Sequence, residues 1–181
     1  MATWKIDPTH TSVEFVVTHM MFTKVRGRME VQEGVIVYDP QDVAKSSVSV
    51  TLNAASINTG TPDRDNHLRS ADFLNVEKFP TLTFVSTSVT PKGENQATIT
   101  GDLTIAGVTR SVSFDATFEG TGKNPWGKTV AGFSATAKIN REDFGLTWNV
   151  VLEAGGWLVS KEITINMDVQ AVLVEEPQLV Q

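Results

Sequence analysis

The sequence predicts an all-β protein: about eight antiparallel strands in an up-and-down barrel, with one short helix near residues 61–70. Three observations carry that expectation. Apolar and polar residues alternate with period two along most of the chain, as they do in strands with one dry and one wet face. Turn residues separate the alternating runs without room for helical crossovers, so sequence neighbours pair antiparallel. One stretch of ten residues lacks the period and opens as helices open. The same strands could also be arranged as a two-sheet sandwich.

The runs follow in order. Val13-Phe15-Val17 and Val31-Glu33-Val35-Val37 are weak versions of the pattern, and the second ends at the Asp39-Pro40 break. Val48, Val50 and Leu52 then share a face, opposite Ser49, Thr51 and Asn53. The stretch Thr61–Ser70 loses the alternation, and Thr61 followed by Pro62 is a helix-start signal. A helix here would close or flank one barrel end. Asp63, Asp65 and Asp72 beside it read as capping and solvated charge.

Leu82 and Phe84 begin the next strand, which the Pro91-Lys92-Gly93 turn ends. Ala97, Ile99, Gly101, Leu103 and Ile105 face away from Thr98, Thr100, Asp102 and Thr104. After the turn at Ala106-Gly107 come Val108, Val112, Phe114, Ala116 and Phe118. Beyond the long break at 120–127, Phe133, Ala135, Ala137 and Ile139 alternate with Ser, Thr and Lys. The last run is Ile163, Ile165, Met167 and Val169. One barrel domain over 1–174 and a frayed tail over 175–181 are expected.

Composition narrows the function. The 15 Lys and Arg residues stand against 21 Asp and Glu, net −6, and no cationic run occurs. As a whole such a chain suits neither nucleic acid nor an anionic membrane surface. It has no cysteine, which excludes disulfides, thiolate metal sites and cysteine nucleophiles. No apolar run has the length of a transmembrane segment, and Asp7-Pro8 precede any run of signal-peptide length. A soluble, cytoplasmic protein is expected, or a periplasmic one if this chain is a processed form.

The sharpest motif is a decoy. Gly122 to Thr129 fits G-x-x-x-x-G-K-[ST], but a phosphate loop needs its Lys-Thr to open a helix. Here Lys128-Thr129 leads into strand periodicity, so an inter-strand loop is expected. His10, His19 and His67 lack metal-ligand spacing, and no G-x-S-x-G elbow is present. Neither a metal nor a catalytic constellation is therefore assigned. Within Lys24-Val25-Arg26-Gly27-Arg28, Arg26 and Arg28 share a face and could meet an anionic head group at a barrel mouth. With His19 they are the head-group candidates.

The inward face is where function is expected. An eight-stranded barrel either fills with side chains or holds a slim ligand. The expected pore-lining set is Phe15, Val17, Phe84, Leu103, Phe114, Phe118, Phe133, Ile139, Ile165 and Met167. The small residues Gly101, Ala116, Ala135 and Ala137 lie among them.

Several segments, in order, resemble the YceI-like family. They are Trp4-Lys5-Ile6-Asp7-Pro8-Thr9-His10 with Val13-Glu14-Phe15, and Arg64-Asp65-Asn66-His67-Leu68-Arg69-Ser70-Ala71-Asp72-Phe73. Further on come Gly101-Asp102-Leu103-Thr104, Pro125-Trp126-Gly127 through Gly132-Phe133, Asn140-Arg141-Glu142-Asp143-Phe144-Gly145 and Gly155-Gly156-Trp157-Leu158-Val159. Leu74 departs from the family's frequent Phe at an expected core site. The resemblance implies an extended, lipocalin-like barrel rather than a sandwich. It also implies an apolar pore holding a polyisoprenoid, quinone-like or fatty lipid, no required cofactor, and a homodimer. The expected function is non-enzymatic binding, storage or transport of that lipid. The alternatives are a lipid-modifying enzyme with His19 or His67 as general base, and a dimeric stress-associated interaction protein.

Overall fold

The computed structural model describes residues 1–152 and 156–174, so the expected tail over 175–181 lies outside the described residues. Nine strands form one closed antiparallel sheet: β1 (Ala2–Ile6), β2 (Ser12–His19), β3 (Thr23–Tyr38), β4 (Ser47–Asn58), β5 (Thr81–Gly93), β6 (Gln96–Ile105), β7 (Val108–Lys123), β8 (Thr129–Asn140) and β9 (Glu162–Leu173). The barrel nevertheless has eight staves, because β1 and β2 are two halves of one. Both halves pair with β3 on one side and β9 on the other, β1 through Lys5 with Val35 and Val172, β2 through Val13 with Met29 and Met167. From there the order runs β3 to β9 without a crossover, and pairing of β2 with β9 closes the ring. The up-and-down barrel therefore holds, and the sandwich does not.

The break between the halves is local chemistry. Pro8 opens a 3-10 turn over Pro8–His10, and the Asp7 carboxylate accepts hydrogen bonds from the Thr9 amide at 2.9 Å and its hydroxyl at 2.7 Å. His10 Nδ1 lies 2.9 Å from the same carboxylate. Hydrogen bonds from Thr9 and His10 hold the Asp7 carboxyl below its ordinary value.

The helix expected over 61–70 is present as α1 (Pro62–Arg69), with proline in its first turn. Its aspartates do more than solvate. Asp65 is buried, and its Oδ1 accepts from the Thr59 amide at 2.8 Å and the Thr59 hydroxyl at 2.5 Å, tying the helix to the end of β4. Leu68 of α1 and Leu74 pack against Ala54, Ile57, Leu82, Ile139 and Phe144, the largest buried cluster. Leu74 thus sits in the core, as the family comparison at that position predicts.

One strand departs from the simple pattern. Bulges in β3 between Arg28 and Glu30 and between Val31 and Glu33 shift its register. Gly27, Met29 and Val31 face inward, but beyond the second bulge Gly34 and Ile36 take that side, leaving Val35 42% exposed. The period-two reading that grouped Val31, Val35 and Val37 fails at this irregularity. The decoy loop at 122–129 is a hairpin between β7 and β8, with Asn124 Oδ1 accepting from the amides of Trp126 and Lys128.

Candidate functional site

The strands enclose a cavity of about 730 Å³, within the range of small-molecule sites. Its lining is mostly apolar. All ten residues expected on the pore wall border it: Phe15 and Val17 from β2, Phe84 from β5, Leu103 from β6, Phe114 and Phe118 from β7, Phe133 and Ile139 from β8, and Ile165 and Met167 from β9.

Glycines explain why so many aromatic rings leave space. The Phe15 ring lies against Gly27, where a Cβ would stand 2.2 Å from Phe15 Cζ. The Phe84 ring lies against Gly101, where a Cβ would stand 2.6 Å from Phe84 Cζ and 2.5 Å from the Val85 carbonyl oxygen. Each ring is thus recessed into a notch in the wall. Phe84 then meets Phe114 edge-on at 5.1 Å. Across the lumen wall, Ala116 pairs with Ala135 and contributes almost no volume.

The two ends of the cavity differ. At one end Tyr38, Phe118 and Phe133 form an aromatic group with ring centroids 5.2–6.0 Å apart. Behind it Trp4 packs with Ala131 and Ala171, its indole N–H buried without a hydrogen-bond partner. Neutral polar residues, Ser46, Ser47, Asn95, Gln96, Thr117 and Ser134, also line the Tyr38 end. The other end carries His19 at the end of β2 and the charged or imidazole side chains of Asp63, Arg64 and His67 on α1.

Arg64 is held by Thr59. Its Nε donates to Thr59 Oγ1 at 2.6 Å and its Nη2 to the Thr59 carbonyl at 2.8 Å, while Nη1 has no protein hydrogen-bond partner among the described residues. His67 Nε2 lies 2.8 Å from Asp72 Oδ2. Its ring stands edge-on to Trp148 at 4.6 Å and Phe73 at 5.1 Å. A cation, an imidazole and an aromatic ring therefore converge at one end of an apolar channel.

Arg141 builds the far side of that end. It is only 2% exposed and meets carbonyls rather than a carboxylate. Nη1 donates to Leu146 at 2.6 Å and Trp148 at 2.9 Å, Nε to Ser160 at 2.8 Å, and Nη2 to Val159 at 3.4 Å. Burial pulls its guanidinium below the ordinary arginine value, with Glu142 opposing that effect. Four carbonyls on two chain segments, 146–148 and 159–160, are thus fixed by one side chain, and the Trp148 ring meets His67.

Of the head-group candidates, only His19 borders the cavity. Arg26 and Arg28 do share a face, and it is the outer one: Gly27 between them faces the lumen, and Arg26 Nη1 reaches Glu14 Oε1 at 3.1 Å across the outside of the sheet. Arg64 and Arg141 stand in the family-like segments of the sequence without an assigned site role, and Trp148 carries no assignment there. Arg64 carried a usable signal, a cation two residues into a helix whose start was already recognised. Arg141 carried none, because its partners are backbone carbonyls up to 19 residues away.

Comparisons with known proteins agree with this architecture. Residues 4–171 match the family described as the YceI-like domain. A UPF0312 protein of Pseudomonas putida (strain W619) is 39% identical over 173 residues, 94% of this chain and 86% of the relative. The crystal structure of Burkholderia cenocepacia BcnA superposes with a TM-score of 0.77 at 24% identity, over 91% of this chain and 98% of that one. A polyisoprenoid binding domain from Saccharophagus degradans, described as implicated in plant cell wall breakdown, shares the fold with a TM-score of 0.65 at 12% identity, over 96% of this chain and all of that one.

Proposed function

This chain belongs to the YceI-like family, and we propose that it binds a long-chain polyisoprenoid or similar amphiphilic lipid in its lumen, as a carrier or store rather than an enzyme. One observation carries the reading: a hollow, mostly apolar channel whose charged side chains and imidazoles gather at one end, where the head of an amphiphile would sit. Desolvating the chain would supply roughly 0.8 kcal/mol per buried CH₂. The isoprenoid class is supported by what the Saccharophagus degradans neighbour is named for.

The head group is assigned to the Arg64 end. The unpartnered Nη1 of Arg64 suits a diphosphate or a quinone carbonyl, with His67 and His19 beside it. The tail is assigned to the ten expected wall residues. A homodimer is part of the reading on the strength of the family resemblance alone, and light scattering checks it.

A second reading, a lipid-modifying enzyme, is favoured by the His67–Asp72 pair, since a carboxylate orients an imidazole for general-base work. Loading separates the two. Ala135→Phe sets a ring into the lumen and is expected to abolish retention of a radiolabelled polyprenol through gel filtration while the folded spectrum persists. Undiminished retention overturns the lumen assignment. Conversion of the bound polyprenol that disappears in His67→Asn would establish the enzyme instead.

A further inference from the structure

The hairpin joining β2 to β3 breaks the chemistry of its own turn. Met20 and Met21 have φ of 56° and 68°, and the Phe22 amide donates to the His19 carbonyl at 3.2 Å, a tight turn of the type that calls for Asn-Gly. Two methionines in the left-handed region, followed by a phenylalanine 88% exposed, oppose both backbone preference and solvation. Residues that break a local rule without gaining packing point to function.

The turn is not alone. The Met20 amide donates to the Leu158 carbonyl at 2.8 Å, and Gly156 lies so close to Met21 that a Cβ there would stand 3.0 Å from the sulfur. The neighbouring segment adds exposed Val150, Val151 and Trp157. Six of the large exposed apolar residues among those described therefore gather on the β2–β3 turn and on residues 150, 151 and 157, where Val151 bridges Trp157. His19, Trp148 and Leu158, beside these residues, line the charged end of the lumen, so the patch is continuous with the channel rim.

Charge agrees with this placement. Lys24, Arg26 and Arg28 stand on the outer face behind the turn, and although Glu14 pairs with Arg26 there, Lys24 and Arg28 leave that strip net positive in a chain whose net charge is −6. They follow one another at about 7 Å intervals, and the nearest lies within a Debye length of the tip.

We infer that the Met20–Phe22 turn, with Val150, Val151 and Trp157 beside it, forms a lip that inserts shallowly into a lipid bilayer, so that cargo passes between membrane and lumen without crossing water. Methionine, phenylalanine and tryptophan enter the acyl boundary, and the basic strip of β3 favours anionic head groups. The outward Lys24-to-Arg28 strip, which takes no part in the lumen, thereby gains a role. The inference rests on the lipid-binding reading of the lumen.

The test uses the triple variant Met20→Asn, Met21→Gly, Phe22→Ser, which restores the residues this turn prefers and should melt no lower than the parent. With vesicles of equal phosphatidylglycerol and phosphatidylcholine, the parent is expected to co-sediment and the variant to bind at least about tenfold less, a change of about 1.4 kcal/mol. Both are expected to take up farnesol from solution. Equal partitioning of the two proteins, or a parent that stays in the supernatant, overturns the lip whatever the farnesol result. Failure of both to take up farnesol overturns the lumen reading instead, and the inference with it.

Discussion

The two ends of the barrel are built on different principles. At the Trp4 end, aromatic and small residues pack beside neutral polar groups such as Asn95, Gln96 and Thr117, and a buried indole N–H is left without a partner. At the Arg64 end, buried Asp65 and Arg141 bind backbone and hydroxyl groups, Asp65 fixing the Thr59 that holds Arg64 and Arg141 fixing the backbone of Trp148. The difference teaches which end can recognise a ligand. An end without charged groups tells chains apart mainly by width, whereas an end whose charges are fixed by bonds can select a head group.

That contrast can be broken most forcefully at Arg141. Arg141→Met is expected to strand at least three carbonyls and lower stability by at least about 3 kcal/mol, which for a protein of this size lowers Tm by about 10 °C in calorimetry. Arg141→Lys should recover only part of that, since an ammonium cannot reproduce the fork. A Tm within about 2 °C of the parent would mean that Arg141 does not organise the loops around the lumen.

The next effect belongs to the wall. Gly101→Val drives side-chain atoms into the Phe84 ring and the Val85 carbonyl, and a cost of about 2 kcal/mol in urea unfolding is expected. The displaced ring should also shorten the longest prenyl chain retained. Unchanged chain-length selectivity would show that the ring need not be recessed for the channel to stay open.

Arg64→Gln sharpens the comparison without dismantling the barrel. Preference for a prenyl diphosphate over the corresponding alcohol is expected to fall about tenfold, because a charged hydrogen bond is lost. An equal loss of affinity for both ligands would place the head group elsewhere.

The smallest effect is expected at Asp7, where the stave changes from β1 to β2. Its carboxyl is held below the ordinary value near 3.9, chiefly by Thr9 and then by His10. A lowered native value contributes stability above the unfolded value, lost as pH falls through the native one. Asp7→Asn should therefore flatten the acid limb of stability below about pH 4 and leave the slope near neutrality unchanged.

The walls were legible because alternation needs no knowledge of what lies opposite. The apolar inward runs of β6, β8 and β9 follow from period two, and α1 follows from Thr61-Pro62. The β3 strand was only half legible, since its bulges reverse the facing beyond Val31 and nothing in Val31-Gln32-Glu33 announces them. Arg26 and Arg28 were rightly set on one face, but parity alone does not say which face is inside; Gly27, whose space the Phe15 ring occupies, decides it. Arg141 stands in a family-like segment, but its role is not legible there, because its partners are backbone carbonyls, two in the next loop and two across the barrel end. Long-range contacts to backbone leave no side-chain pattern in a sequence.

The central claim is that the lumen holds an isoprenoid lipid. Native mass spectrometry of protein purified without detergent, followed by solvent extraction and identification of the released molecule, tests it most directly. The expected result is a stoichiometric mass increment that Ala135→Phe lacks, released as a long-chain isoprenoid. A bare protein mass that stays unchanged after incubation with polyprenol and quinone lipids would contradict the claim.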